Sequence, residues 1–282
     1  MPVPRLLPVS LPHMPDVADH AIAGIATVPA VELLDLMIRT VTAQDGIPTT
    51  TLSMRQAVFP RFLPVDEVQR CSFEVALEEA TDPGKGTRAT FTSRIALAGG
   101  IHRTRTHAAV TLAAAVPDIP QPPATTAHDF ELPAARAYCD LILFGPRYCN
   151  LRGSVWLGRD GAVGVVRSPD PPRPGLSAAG CPYLVDSAMH LACLWGQRYA
   201  GYVAYPTGFK TRVISAPVMH GERRCIVVPR IVEQRHMSCD LWLTDQDNRV
   251  CDTILGLDMA PLANGALPPD WVVAPLAQRY LS

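Results

Sequence analysis

The sequence predicts an α+β fold made of two similar units that follow one another along the chain. Residues 116–127 contain four prolines and no apolar period that would suit a helix or a strand, so they indicate a linker. On either side of it, one segment with helical spacing accompanies several strand-like runs, a pattern that favours a helix packed on an antiparallel sheet. We assign residues 1–120 to the first unit, 121–134 to the linker and 135–282 to the second unit.

The helix of the first unit is predicted from Pro29 to Ala43. Its apolar residues Val31, Leu34 and Ile38 recur at helical spacing, and proline is well tolerated in a first helical turn. Strands are predicted at residues 51–58, 71–78, 88–97 and 103–112, with a turn at 81–87 that contains glycine and proline.

The second unit has similar content. A helix is predicted from about Leu184 to Tyr199, because Val185, Met189 and Ala192 follow the helical spacing. The predicted strands cover residues 151–157, 162–167, 210–215, 224–232, 238–244 and 250–257, with turns at 158–161 and 245–248. The two halves share no repeat residue by residue, so the duplication concerns the architecture alone.

The composition favours a globular protein without a nucleic-acid or membrane role. Of 282 residues, 48% are apolar and 18% charged, and the formal net charge of −1 provides no basic surface for nucleic acid. No run of 18 apolar residues could cross a bilayer, and prolines interrupt the amino terminus where a signal peptide would be apolar. We therefore expect a cytoplasmic protein in which the eight scattered cysteines are reduced, since none forms a Cys-x-x-Cys pair.

The sequence contains no recognisable metal-binding pattern. His102 and His107 are five residues apart in a strand-like stretch, which places them on opposite faces of a strand. The other histidines outside the motifs described next lie in separate segments. We therefore expect no metal site.

Two motifs carry residues suited to acid–base chemistry. The first, His20-x-x-x-Gly24-x-x-x-x-Pro29, places an imidazole just before the first helix. The second, Asp186-x-x-x-His190, places a carboxyl and an imidazole on one face of the second helix. A base in one unit and an acid in the other suit removal of a proton and a hydroxide from neighbouring carbons.

Each of these residues also has a simpler interpretation. His20 would be a structural histidine in an apolar turn, and Asp186 a carboxylate favoured by the dipole at a helix start. Asp186 and His190 would then form an ordinary surface pair one helical turn apart. The acid role requires burial among apolar neighbours to raise the pKa of Asp186 against the helix dipole.

Three further segments appear in order with these motifs: Phe144-Gly145-Pro146 with Tyr148, Tyr205-Pro-Thr-Gly-Phe-Lys210, and Asp245-Gln-Asp-Asn-Arg-Val250. Together with the two motifs, they resemble the dehydratase domains of polyketide synthases, from about Val9 to Leu262. That family has a double-hotdog fold, in which each of two tandem units wraps a curved antiparallel sheet around one long helix. The chain departs from the family's pattern at Ala30, Phe144 and Cys181, where glycine, tyrosine and histidine are common.

The resemblance implies a free-standing dehydratase that removes water from a 3-hydroxyacyl chain carried on the phosphopantetheine arm of an acyl carrier protein. It implies that His20, Asp186 and His190 are catalytic and that the substrate is bound by Gly24, Pro29, Phe144, Gly145, Pro146 and Tyr148. It implies no metal or organic cofactor. The implied partners are an acyl carrier protein, polyketide synthase subunits and a second copy of the chain in a homodimer.

Two other functions stay open at this point. The same residues could serve a cyclase or isomerase that acts by oxa-conjugate addition, a double-bond shift or aldol closure. Alternatively, the chain would be a non-catalytic, dehydratase-like module that binds a carrier protein. The presence of both His20 and Asp186 argues against the last alternative, because a site without chemistry has no physical need for them.

Overall fold

The computed structural model describes residues 4–11, 14–45, 52–79, 86–113, 117–124, 128–171, 175–263 and 265–274. The first half contains β1 (Arg5–Val9), β2 (Ala21–Ile22), β3 (Ile25–Val28), α1 (Ala30–Asp45), β4 (Leu52–Val58), β5 (Leu63–Pro64), α2 (Val65–Val68), β6 (Cys71–Glu79), β7 (Thr87–Ala96) and β8 (His102–Ala113). The second half contains β9 (Phe130–Pro133), α3 (Ala134–Asp140), β10 (Leu151–Gly158), β11 (Gly161–Arg167), α4 (Pro182–Tyr199), β12 (Ala204–Ile214), β13 (Glu222–Glu233), β14 (His236–Thr244) and β15 (Val250–Pro261).

Twelve of the described strands form one continuous antiparallel sheet. Their order is β1-β6-β7-β8-β4-β12-β15-β14-β13-β11-β10-β9, so the first half of the chain supplies one side of the sheet and the second half the other. The two sides join where β4 pairs with β12, from Val58 opposite Gly208 to Leu52 opposite Ile214. The short strands β2, β3 and β5 form a separate small sheet.

Each side of the sheet packs against one long helix. Helix α1 contacts β1, β7 and β8, and buries Leu34, Met37 and Ile38. Helix α4 contacts β10, β11, β12, β13 and β14, and every residue from Pro182 to Arg198 is buried. A helix buried on all sides lies inside a domain core, so the polar residues of α4 require partners there.

Buried polar contacts hold the start of α4. The N–H of Cys181, the residue before the helix, donates to the carbonyl of Val218 at 2.7 Å. Arg212 on β12 donates to the carbonyl of Ala179 at 2.9 Å and forms a 2.6 Å ion pair with Asp252 on β15. These contacts tie the segment that precedes the helix to β12 and to the loop that follows it.

The structure confirms both predicted long helices and the predicted strands, with ends that differ by a few residues. Most of the predicted turn at 81–87 lies outside the described residues. The linker assigned to 121–134 is too long at its end, because Phe130–Pro133 pairs with β10 and α3 begins at Ala134. No helix in the described parts of the chain is long and apolar enough to span a membrane.

Candidate active site

His20 lies between a short 3-10 turn (Pro15–Asp19) and the hairpin of β2 and β3. Its carbonyl accepts a hydrogen bond from Thr27 N–H at 2.8 Å, and its Nδ1 lies 2.8 Å from the Thr27 carbonyl. Because a carbonyl oxygen only accepts, Nδ1 carries the proton of the neutral ring and Nε2 is left unprotonated. The backbone therefore holds His20 in the tautomer that a general base requires.

Helix α4 brings Asp186 and His190 to the same place. Asp186 Oδ1 lies 3.9 Å from His20 Nε2, and Asp186 Oδ2 lies 2.8 Å from His190 Nε2. All three side chains are buried, with 6%, 7% and 6% of the surface of His20, Asp186 and His190 exposed. The interpretation of Asp186 and His190 as a surface pair is therefore wrong.

Tyr138 on α3 fixes the tautomer of His190. Its phenolic oxygen accepts hydrogen bonds from the backbone N–H groups of Asn150 and Leu151, both at 3.0 Å. The phenol can then only donate, and its acceptor is His190 Nδ1 at 3.1 Å. His190 consequently carries its proton on Nε2, the atom that faces Asp186.

Burial lowers the pKa of His20 below its ordinary value of 6.5, although Asp186 opposes this shift by attracting the imidazolium. His20 is therefore neutral near pH 7, as a general base must be. Burial by itself raises the pKa of Asp186, but His190 and His20 outweigh it and hold this pKa below its ordinary value. The condition that burial raises the pKa of Asp186 above that value is thus not met in the free protein, because two imidazoles adjoin the carboxyl.

A cavity of about 350 Å³ opens onto these three residues. Its wall is mostly apolar and comes from both halves of the chain, including Leu33, Phe59, Ile142, Met189 and Met259. The exposed side chains of Phe62, Leu143 and Leu267 also line it. A pocket of this size with a few convergent polar groups is typical of small-molecule sites.

The Phe144-Gly145-Pro146 segment supports His20. Phe144 lines the cavity, and the centroid of its ring lies 4.4 Å from that of the His20 ring and 5.0 Å from that of the His190 ring. Gly145 N–H donates to the Asp19 carbonyl at 2.7 Å, and a Cβ at Gly145 would overlap the Asp19 side chain. Glycine is therefore required there for the close approach to the residue preceding His20.

Pro146, Tyr148 and Gly24 are not among the residues that line this cavity, and neither is Gly145. Pro146 begins a short 3-10 turn, and Tyr148 places its ring 5.1 Å from the His20 ring. Gly24 follows Ala23 in the exposed two-residue turn between β2 and β3, where both residues have positive φ. The structure thus gives these four residues positions suited to shaping the backbone around His20.

Pro29 does line the cavity, one residue before α1 begins. Its carbonyl accepts hydrogen bonds from Glu32 and Leu33 N–H, at 3.0 and 3.2 Å. Ala30 and Val31, the first residues of the helix, line the cavity beside it. The N-terminus of α1 therefore adjoins the cavity, where its dipole favours negative charge.

Sequence reasoning missed Tyr138 and Gln197. Tyr138 is 52 residues from its partner His190, and neither a motif nor a spacing marks it. Gln197 lines the cavity and is seven residues beyond His190 on α4, so its helical spacing was a usable signal. In the described part of the chain, no group of three or more His, Cys, Asp or Glu side chains is arranged to hold a metal ion.

The architecture and the site define a class of protein: two helices enclosed by one antiparallel sheet, with a buried base from one half and a buried acid candidate from the other. Residues 134–269 match the family model of the polyketide synthase dehydratase N-terminal domain. The matched segment is the second half of this chain and contains Asp186 and His190. No curated protein matches the sequence.

Solved structures of dehydratase domains share the fold. The dehydratase domain from the CurJ module of curacin polyketide synthase has a TM-score of 0.69 at 18% identity, over 87% of this chain and 86% of that one. The dehydratase domain of PpsC from Mycobacterium tuberculosis, solved with C12:1-CoA, has a TM-score of 0.68 at 17% identity, over 91% and 92%. That of a mycocerosic acid synthase-like polyketide synthase has a TM-score of 0.68 at 19% identity, over 87% of each chain.

The fold is therefore the double hotdog expected from the sequence. The second half of the chain matches the family model of polyketide synthase dehydratases, and the whole chain shares the fold of solved dehydratase domains.

Proposed function

We propose that this protein is a dehydratase that removes water from a 3-hydroxyacyl thioester carried on an acyl carrier protein in polyketide biosynthesis. The observation that carries this proposal is the placement of an unprotonated His20 Nε2 3.9 Å from Asp186 Oδ1 at an apolar cavity. Elimination of water needs a base at C2 and an acid at the C3 hydroxyl, and both groups line the cavity in which these atoms would lie.

In the proposed reaction, His20 Nε2 removes the C2 proton. The electron pair of the C2–H bond forms the C2=C3 double bond as the C3–O bond breaks. Asp186 gives its proton to the departing oxygen, so that water leaves. His20 is then protonated and Asp186 ionised, and a proton passing from His20 Nε2 to Asp186 Oδ1 restores the starting state.

The acid role requires Asp186 to be protonated when substrate is bound. The carboxyl is buried, and an acyl chain in the cavity would exclude the remaining water from it. His20 lowers the pKa of Asp186 less when its ring is neutral, and the low pKa of His20 keeps this ring neutral near pH 7. Burial then favours the neutral carboxyl, which is the form that can donate.

The thioester carbonyl gains negative charge as the C2 proton leaves. We place this oxygen near the N-terminus of α1, because Pro29, Ala30 and Val31 line the cavity there. The positive end of the helix dipole would stabilise the developing charge.

Two of the solved relatives support this assignment. PpsC dehydratase was solved with the acyl thioester C12:1-CoA, which suits an apolar cavity such as the one described above. In CurJ dehydratase, a variant with a histidine replaced by phenylalanine is inactive. We infer that His20 has the equivalent role in this chain.

The test is intact-mass analysis of an acyl carrier protein loaded with a 3-hydroxyacyl chain. The wild-type protein should reduce the mass of the loaded carrier protein by the mass of one water molecule. His20→Phe should keep the fold and slow this loss by about 10²- to 10⁴-fold, the usual contribution of a general base. Asp186→Asn should lower kcat and leave KM nearly unchanged, because the amide keeps the shape of the side chain but cannot transfer a proton to the departing oxygen.

Other outcomes would overturn the proposal. A new ring or a shifted double bond without loss of mass would assign the site to cyclisation or isomerisation. Carrier binding without any chemical change would assign the chain to the non-catalytic class. Normal turnover by a folded His20→Phe variant would exclude His20 as the base.

A further inference from the structure

The cavity extends beyond the three acid–base residues along one face of α4. Asp186, His190, Cys193 and Gln197 follow one another at intervals of four, three and four residues, and all four line the cavity. Since an α-helix rises 1.5 Å per residue, Gln197 lies roughly 16 Å from Asp186 along the helix axis. This face therefore leads from the reacting groups to a remote part of the wall.

Gln197 is a polar residue in an apolar setting, and its side chain is fully buried. Its Nε2 donates to the carbonyl of Leu141 at 3.3 Å and to the sulfur of Cys193 at 3.6 Å. These two acceptors use both amide protons and fix the orientation of the side chain. Turning the amide over would place its oxygen against the Leu141 carbonyl.

The other end of the amide, Gln197 Oε1, has no hydrogen-bond partner among the residues that the structure describes. A buried carbonyl oxygen normally has one, so the site is incomplete without a donor. Within the described residues, no charged group is hydrogen bonded to Gln197. A neutral donor fits this position, because a buried cation would require a counter-charge.

We propose that Gln197 Oε1 binds a hydroxyl group on the acyl chain, far from the carbons that react, and so selects substrates that carry such a hydroxyl. The proposal deepens the function proposed above, from which it takes the acyl thioester as ligand. A chain bound in the cavity with C2 beside His20 and C3 beside Asp186 would pass along α4 toward Gln197. Its hydroxyl would donate to Oε1, whereas a plain alkyl chain would leave that oxygen unpaired.

The test measures binding rather than turnover, so that it does not depend on dehydration. Saturated acyl-pantetheine thioesters of equal length, each with one hydroxyl at a different carbon of the distal chain, are compared with the plain chain by isothermal titration calorimetry. Wild-type protein should bind one hydroxyl position about 10-fold more tightly than the plain chain, the effect of one buried hydrogen bond.

Gln197→Met approximately keeps the side-chain volume and removes the acceptor. In this variant the hydroxylated and plain chains should bind equally. Leu194→Met is the matched control, because Leu194 is buried on the same helix, is not among the residues that line the cavity, and the substitution is apolar and of similar size. This control should keep the 10-fold preference.

The proposal is overturned if the wild-type protein prefers no hydroxyl position, a result that needs no variant to fold. It is equally overturned if Gln197→Met keeps the preference. Dehydration of the matching 3-hydroxy thioesters is measured separately. Selective binding without water loss would refute the proposed function but support the hydroxyl site at Gln197. Water loss without selective binding would support the proposed function and refute the hydroxyl site.

Discussion

Tyr138→Phe is the substitution for which the structure permits the most detailed prediction. It removes one oxygen atom that accepts hydrogen bonds from Asn150 and Leu151 N–H, each at 3.0 Å, and donates to His190 Nδ1 at 3.1 Å. The ring that remains fills the same space. The variant therefore tests the hydroxyl separately from the packing.

The expected loss of stability follows from the two stranded N–H groups. Each buried donor without a partner costs about 1–3 kcal/mol, so the free energy of unfolding should fall by about 2–6 kcal/mol. For a chain of this size, that change lowers Tm by on the order of 10 °C. Tyr202→Phe is the control, because the Tyr202 hydroxyl makes one hydrogen bond, to the Glu233 carbonyl. Its removal should lower the free energy of unfolding by about 1 kcal/mol.

The catalytic consequence comes through His190. Without the phenol donor, His190 Nδ1 can take the proton, and Nε2 then faces Asp186 as a second acceptor. Losing the bond that holds the productive tautomer should lower kcat on the order of 10-fold. Because His190 lowers the pKa of Asp186, moving its proton from Nε2 to Nδ1 should raise that pKa and shift the alkaline limb of the rate profile to higher pH.

Three measurements check this reasoning: chemical denaturation, the dependence of dehydration rate on pH, and ¹⁵N NMR of the histidine rings, which distinguishes the two tautomers. A purely structural role for Tyr138 would change stability alone. The reasoning is refuted if Tyr138→Phe shows wild-type stability, or if His190 keeps its Nε2–H tautomer and the rate profile does not move.

Two further predictions concern His20. The dehydration rate plotted against pH should be bell-shaped, with an acid limb whose midpoint lies below pH 6.5. Burial lowers the pKa of His20, and the rate falls on the acid side when this base becomes protonated. A midpoint above pH 6.5 would contradict a neutral, desolvated His20. Gly145→Ala should lower kcat while circular dichroism stays unchanged, because the added Cβ displaces Asp19 and with it the backbone preceding His20. A wild-type rate in that variant would show that the close contact does not position the base.

Much of the fold was predictable because its signals are local. The helical spacing of Val31, Leu34 and Ile38 predicted α1, and strand-like runs predicted the large strands, since each pattern reflects burial of one face. The start of β9 at Phe130 was not predicted, because a proline-rich sequence beside it indicated a linker. Pairing with β10 decided that segment, and pairing is not visible in one strand alone.

The sequence alone predicted the acid–base residues of the candidate site. His20 with Gly24 and Pro29, and Asp186 with His190, were identified from spacing, because a helix places residues four apart on one face and a tight turn needs glycine at a positive φ. The sequence also indicated that base and acid come from different halves of the chain. It could not give the distance between them.

Only the tertiary structure decided how these residues work together. Packing of α1 and α4 inside one sheet brings His20 within 3.9 Å of Asp186, across 166 positions of the chain. The same packing gives Asp186 two imidazole neighbours and places Tyr138 where its hydroxyl fixes the tautomer of His190. It also leaves Gln197 Oε1 without a hydrogen-bond partner among the described residues. Charge, protonation and hydrogen bonding depend on neighbours that are distant in sequence, so no local pattern could have specified them.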